Sequence, residues 1–288
     1  MRQSLDARVE NNASLARLID RNVSIEISPN EARLFTADQN VLPHGSRVFL
    51  PHIKGKSLRE HVEAAKSLKQ LGYVPVPHFG ARNYDTEKDY VDHVEAHAQN
   101  GVENALFLGG NPLVASGTLL NAERLLNHPV LGGTPIRTAF IGAYPEGHPE
   151  ISDVELRRAL ERKLELCDRK GLCPHVVSQF SFDGKVIGRW AKGLHTEFAG
   201  LPICIGVAGV TSFPRLIKFG VRCGIGPSLA MLRRSAGSLL NVLADKDPAD
   251  VIAGFEESYP VPNGPLALHF FPFGGWKKTL DWVRSARR

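Results

Sequence analysis

The chain has 288 residues, 43% hydrophobic and 23% charged, with 27 Gly and 19 Pro dispersed along it, the make-up of a folded globular protein rather than a disordered, collagenous or coiled-coil one. No apolar run approaches the ~20 residues that cross a bilayer, and the N-terminal MRQSLDARVENNASLARLID lacks an apolar leader core, so a cytoplasmic protein without membrane contact is expected. The net charge of +5, from 35 basic against 30 acidic residues, is too mild and dispersed for a dedicated nucleic-acid binder but suits an anionic small ligand.

In chain order, Leu5, Val9, Leu15, Leu18 and Ile19 stand among polar residues and predict an amphipathic helical extension over 1–22. Beyond it, short apolar runs alternate with helical patterns. The runs predict strands over 23–27, 47–51, 73–77, 104–108, 137–142, 175–180, 202–207 and 266–271. The helical patterns cover 57–71, 86–99, 116–127, 152–170, 183–198 and 212–221, several opened by a capping Ser, Thr or Asp, with two more within 227–255. Parallel strands need crossover connections, and eight strand–helix units close well. The expected fold is therefore an α/β, (β/α)8 TIM barrel: one domain over 1–288, with an open doubly wound sheet as the alternative. The four cysteines, Cys167, Cys173, Cys204 and Cys223, form no CxxC pair, which argues against a zinc–thiolate site or a disulfide framework.

A barrel carries its site at the C-terminal strand ends, and the residues there are chemically rich. Glu26 alternates with Ile25 and Ile27 in SIEIS. Its carboxyl reads either as a general acid raised by a partly dry barrel mouth or as an ordinary partner of a Lys or Arg. His52 and His78 follow the second and third runs, Gly109-Gly110-Asn111 the fourth, and Gln179 and Asp183 the sixth. AYPEGHPE, residues 143–150, sets Tyr144, Glu146 and His148 in one turn, either as functional groups or as a proline-shaped rim. The Gly109–Asn111 turn lets backbone approach an anion, but neither GxGxxG nor GxxxxGK[ST] is present. His93 and His97 have the i, i+4 spacing of helical ligands. Val94 stands where the metalloprotease pattern needs Glu, so the pair reads as an exposed polar face and no metal is assigned. His52, His78, His175 and His269 could instead converge as the ligands of a barrel hydrolase, although strand-end histidines more often hydrogen-bond backbone or ligand.

Taken in order, SIEIS, VPVPHF, ALFLGGNP, GAYPEGHPE and VSQFSFD resemble the methylenetetrahydrofolate reductase family from about Val23 to Phe271. The specific pieces are GAYPEGHPE and VSQFSFD. The resemblance implies a TIM barrel that binds FAD and passes a hydride from NADH or NADPH to 5,10-methylenetetrahydrofolate. It also implies that Glu26 is the acid protonating folate N10, that Gln179 and Asn111 contact substrate, and that His78, Gly110, Asn111, Tyr144, His148 and Lys163 contact the flavin. This chain departs from the family where Gly109-Gly110-Asn111 replaces an Arg-Gly-Asp sequence, where FLPHIKG follows the second run, and where HFFPFGG stands near the C-terminus.

The expected activity is thus interconversion of 5,10-methylene- and 5-methyltetrahydrofolate with NAD(P)H and FAD, in one-carbon metabolism or in oxidation of methyltetrahydrofolate from demethylation. The alternatives are direct hydride transfer without flavin and a non-catalytic folate- or flavin-binding subunit. A small-molecule folate is the expected partner, and a homo-oligomer is compatible with an isolated barrel.

Overall fold

The computed structural model describes residues 23–35, 42–53, 55–110, 119–222, 225, 245–260, 262 and 264–287. The predicted extension over 1–22, Asn111, Cys223 and the first of the two helices expected within 227–255 lie outside the described residues. Eight parallel strands form the barrel: β1 (Val23–Glu26), β2 (Arg47–Leu50), β3 (Val74–Gly80), β4 (Asn104–Leu108), β5 (Thr138–Ala143), β6 (Cys173–Ser178), β7 (Ile203–Ala208) and β8 (Leu266–Phe271). They close in the order β1-β8-β7-β6-β5-β4-β3-β2, as the eight apolar runs predict. Thr211–Ser212 and Asp245–Lys246 make a separate small antiparallel pair. No helix among the described residues is long and apolar enough to cross a membrane.

Strands covered on both faces need no polar alternation. Val48, Phe49 and Leu50 in β2 and Ile203 to Val207 in β7 are buried without a break. In β3 the sequence VPVPHFG carries prolines at 75 and 77, which donate no hydrogen bond. Val74 N donates to Ser46 O on the β2 side, so the missing donors face β4. The β3–β4 pairing accordingly runs from His78 opposite Leu106 to Gly80 opposite Leu108. The strand thus continues past Pro77, where the sequence reading ended it, because the residues after the prolines make the ladder.

Two compact units divide the described residues. The first draws on the described residues of 23–25, Tyr144–Asp153 and 177–287 and holds β7, β8 and the helices α6 (Gly184–Glu197), α7 (Phe213–Arg222), α8 (Ala249–Ser258) and α9 (Trp276–Ala286). In it α6 packs closely on α8: a Cβ on Gly184 would collide with Val251 O, and one on Gly188 would stand 2.9 Å from Phe255 O.

The second unit, Glu26–Ala143 with Val154–Val176, holds β2 to β5 and the helices α1 (Pro29–Ala32), α2 (Leu58–Gln70), α3 (Glu87–Gln99), α4 (Ala122–Asn127) and most of α5 (Asp153–Arg169). Ser57 caps α2, and Thr86 caps α3 in a box with Asp89. Helix α4 begins at Ala122, later than the predicted 116. Asn121 is extended, and its side chain accepts from Arg124 N, which starts the helix there. A 3-10 turn, Pro129–Gly133, follows α4.

Candidate functional site

Glu26 closes β1. Ile25 and Ile27 on either side of it are buried, and Ile27 N donates to Phe49 O of β2 at 3.0 Å. The Glu26 carboxyl, with 26% of its side chain exposed, lies 3.7 Å from His78 Nε2, too far for a hydrogen bond. Burial, joined by repulsion from Glu31, raises its pKa from 4.5 to about 7. Glu31 is held there by its local sequence: Ser28 N and Oγ donate to its carboxylate at 2.8 and 2.7 Å in a capping box. No Lys or Arg pairs with Glu26 among the described residues, so the ordinary cationic ion pair is not what these residues build.

After β4, Arg82 closes the glycine turn. Its backbone N and its Nε donate to Gly109 O at 3.0 and 3.1 Å. A Cβ on Gly109 would stand 2.7 Å from Arg82 Nη2, which would have to shift, and Gly110 takes φ +80°, so a side chain at Gly110 is resisted. Arg82 escaped the sequence reading. Its signal, GARN directly after VPVPHF, becomes visible only once β3 is extended to Gly80. At the end of β5, Lys163 of α5 donates to Gly142 O at 3.0 Å, and burial lowers its pKa to about 8. Lys163 is therefore fixed against a strand end and is not one more solvated cation on α5.

In the other unit, Tyr144 and Gly147 form a turn: Gly147 N donates to Tyr144 O at 3.1 Å, with Gly147 at φ +77°. The ring of His148 packs edge-on against Tyr144 at 5.4 Å, and its Nδ1 accepts from Glu150 N. Gln179 follows β6, and its Oε1 accepts from Phe180 N at 3.1 Å. Asp183 is a helix cap, accepting from Lys185 N and Val186 N at the start of α6.

The histidines require a correction. His93 and His97 are not on an exposed face; they are 1% and 0% exposed. They meet His61 of α2, also buried, and their rings pack on Phe79 of β3. Among the described residues this trio gathers three metal-capable side chains, whereas His52, His78, His175 and His269 do not gather. His175 sits early in β6 beside Phe140 rather than at a strand end, and His269 Nδ1 meets Ser24 Oγ at 2.9 Å. Burial lowers His61 and His52 to about 4 and pushes His93 and His97 well below their ordinary value. HVEAH showed two of the trio; the third, His61, lies 32 residues before His93 and needs the packing of α2 on α3 to be found.

No family model matches the chain. Among solved structures, it is similar to an uncharacterized protein from Clostridium thermocellum that binds two copies of 5-methyl-5,6,7,8-tetrahydrofolic acid, with a TM-score of 0.60 and 12% identity over 94% of this chain and 98% of that one. The chain is a TIM barrel. Two structures of tryptophan synthase from M. tuberculosis, the aminoacrylate-bound and an open form, match at TM-scores of 0.42 and 0.43. Their identities are 13% and 12%, over 84% and 86% of this chain and 98% of each of those chains.

Proposed function

We propose that this protein is a folate-dependent oxidoreductase of the methylenetetrahydrofolate reductase kind, interconverting 5,10-methylene- and 5-methyltetrahydrofolate with NADH or NADPH. The observation that carries this reading is Glu26. It is a carboxyl at a strand end, half protonated near neutral pH and with no cationic Lys or Arg partner among the described residues, as a general acid working at neutrality needs. Methyltetrahydrofolate binding by a protein of the same fold supports the substrate class.

In the reductive direction Glu26 gives its proton to N10, the bond from N10 to the bridging carbon breaks, and N5 takes up the charge as an iminium. Hydride from NAD(P)H then adds to that carbon, leaving 5-methyltetrahydrofolate and NAD(P)+. In reverse, the Glu26 carboxylate takes the proton back. Gln179 and Asn111 keep the assignment to the substrate that the resemblance implies. His78 lies 3.7 Å from the carboxyl.

Flavin suits the donor set of the second unit. The Arg82 guanidinium lies where a side chain on Gly109 would begin and supplies a cation that Gly109 lacks, and Lys163 places a second cation at the end of β5. Arg82, Gly110, Lys163 and His78 of this unit would hold FAD, which when bound would relay hydride between nicotinamide and folate. The test is an anaerobic absorption spectrum with added FAD and then NADH, followed by assay of methylenetetrahydrofolate reduction. Turnover with a flavin band that bleaches supports the full reading. Turnover without bound flavin replaces it with direct hydride transfer, and folate binding without turnover leaves a binding subunit.

A further inference from the structure

His61, His93 and His97 are 3%, 1% and 0% exposed, and each turns one ring nitrogen to the same point. His61 Nδ1 lies 3.0 Å from both His93 Nε2 and His97 Nε2, which are 3.2 Å apart. Protons alone serve this triangle badly. His61 Nε2 faces Leu50 O at 2.9 Å, and a carbonyl only accepts, so the neutral ring keeps its proton there and presents a bare lone pair at Nδ1. If only one of the other two nitrogens is protonated, two bare lone pairs face each other. If both are, two N–H groups compete for one acceptor.

A cation takes all three lone pairs at once. Nitrogens 2.0–2.1 Å from a tetrahedral zinc ion are about 3.3 Å apart, within a few tenths of an ångström of the edges of this triangle. The outer nitrogens have the support that metal-bound imidazoles use: Leu50 O for His61, and the Tyr84 hydroxyl, 2.7 Å from His93 Nδ1. His97 Nδ1 has no hydrogen-bond partner among the described residues. A small cleft lined by Ser28, Pro29 and Lys56 also borders His61 and His52.

We infer that His61 Nδ1, His93 Nε2 and His97 Nε2 form a three-histidine site for a divalent transition metal ion, zinc above all, that ties α2 to α3 on the outside of β2 and β3. An all-imidazole set suits zinc and its first-row neighbours, whereas magnesium and calcium need oxygen ligands. The site is independent of the folate reading.

The test strips the full-length protein with a chelator, dialyses it, and measures uptake of zinc and of cobalt(II) by metal analysis and by the visible spectrum of the cobalt form. His97→Phe keeps a ring against Phe79, and His61→Ala removes a second ligand. The expected result is one zinc per chain, a four-coordinate cobalt spectrum, and a thermal midpoint that falls on stripping and returns with zinc but not with magnesium. Affinity should fall about 100-fold or more in either variant, and the midpoint of His97→Phe should no longer respond to zinc. The inference is overturned if the wild-type chain takes up no zinc, if magnesium binds as well as zinc, or if either folded variant binds zinc as tightly as the wild type. The wild-type cobalt spectrum decides the matter if both variants fail to fold, since a six-coordinate spectrum also overturns it.

Discussion

Glu26 and the His61, His93 and His97 trio belong to the same unit and are both withdrawn from water, yet they are suited to opposite chemistry. Desolvation disfavours charge in either case. For the carboxyl this means a proton kept to about pH 7, which is an acid ready to donate. For the imidazoles it means neutral rings at neutral pH, which are lone pairs ready to coordinate. The surroundings decide which outcome is useful: Glu26 stands on a strand end with part of its surface open, while the trio is enclosed between two helices and a strand. Burial alone does not make a site, as His195 in the other unit shows. It is 2% exposed, but Tyr259 Oη and Leu201 O engage its two nitrogens at 2.9 and 2.8 Å.

Three substitutions break or sharpen this comparison. The largest effect is expected from Glu26→Gln. Loss of the acid should lower turnover by about 10³-fold with folate affinity changed less than about threefold, as measured by steady-state kinetics beside equilibrium titration. Equal turnover would remove Glu26 from the reaction.

The same variant should carry a stability signature. Below pH 4.5 the Glu26 carboxyl is protonated in both folded and unfolded chains and has no effect. Between pH 4.5 and 7 only the unfolded chain ionises, so wild-type stability falls, and above 7 the loss is complete at about 3 kcal/mol. Glu26→Gln should therefore be more stable than the wild type by about that amount at pH 8, and equal to it at pH 4, in urea unfolding.

His195→Phe sharpens the contrast between buried histidines. It should cost about 2 kcal/mol, because the Tyr259 hydroxyl and Leu201 carbonyl lose their partner, while zinc uptake stays unchanged. The smallest effect concerns Lys163, whose proton is lost near pH 8. Affinity for FAD should decline several-fold as pH rises through 8, and Lys163→Gln should bind weakly with no such decline, read by fluorescence titration.

The barrel was legible because parallel strands covered on both faces read as unbroken apolar runs, and all eight runs became strands. Boundaries suffered where a local device overrode the run: the prolines of β3 hid the continuation to Gly80, and Asn121 delayed α4. Glu26 was legible from its alternation with Ile25 and Ile27, since that pattern fixes which way a side chain points. Its raised pKa was one of two readings of that position, and the choice between them depends on burial and on Glu31, which the pattern around Glu26 does not fix. Arg82 and the histidine trio were hidden for a shared reason: each is completed by a residue from a different strand–helix unit, and no window of sequence holds both halves.

The most direct measurement is the titration of Glu26 itself. In protein labelled at glutamate side-chain carboxyl carbons, the Glu26 resonance is assigned by its absence in Glu26→Gln and followed from pH 4 to 9. A midpoint near 7 is predicted, with the carboxyl still half protonated at neutrality. A midpoint near 4.5 would leave an ordinary carboxylate at the end of β1 and contradict the acid on which the proposed reaction rests.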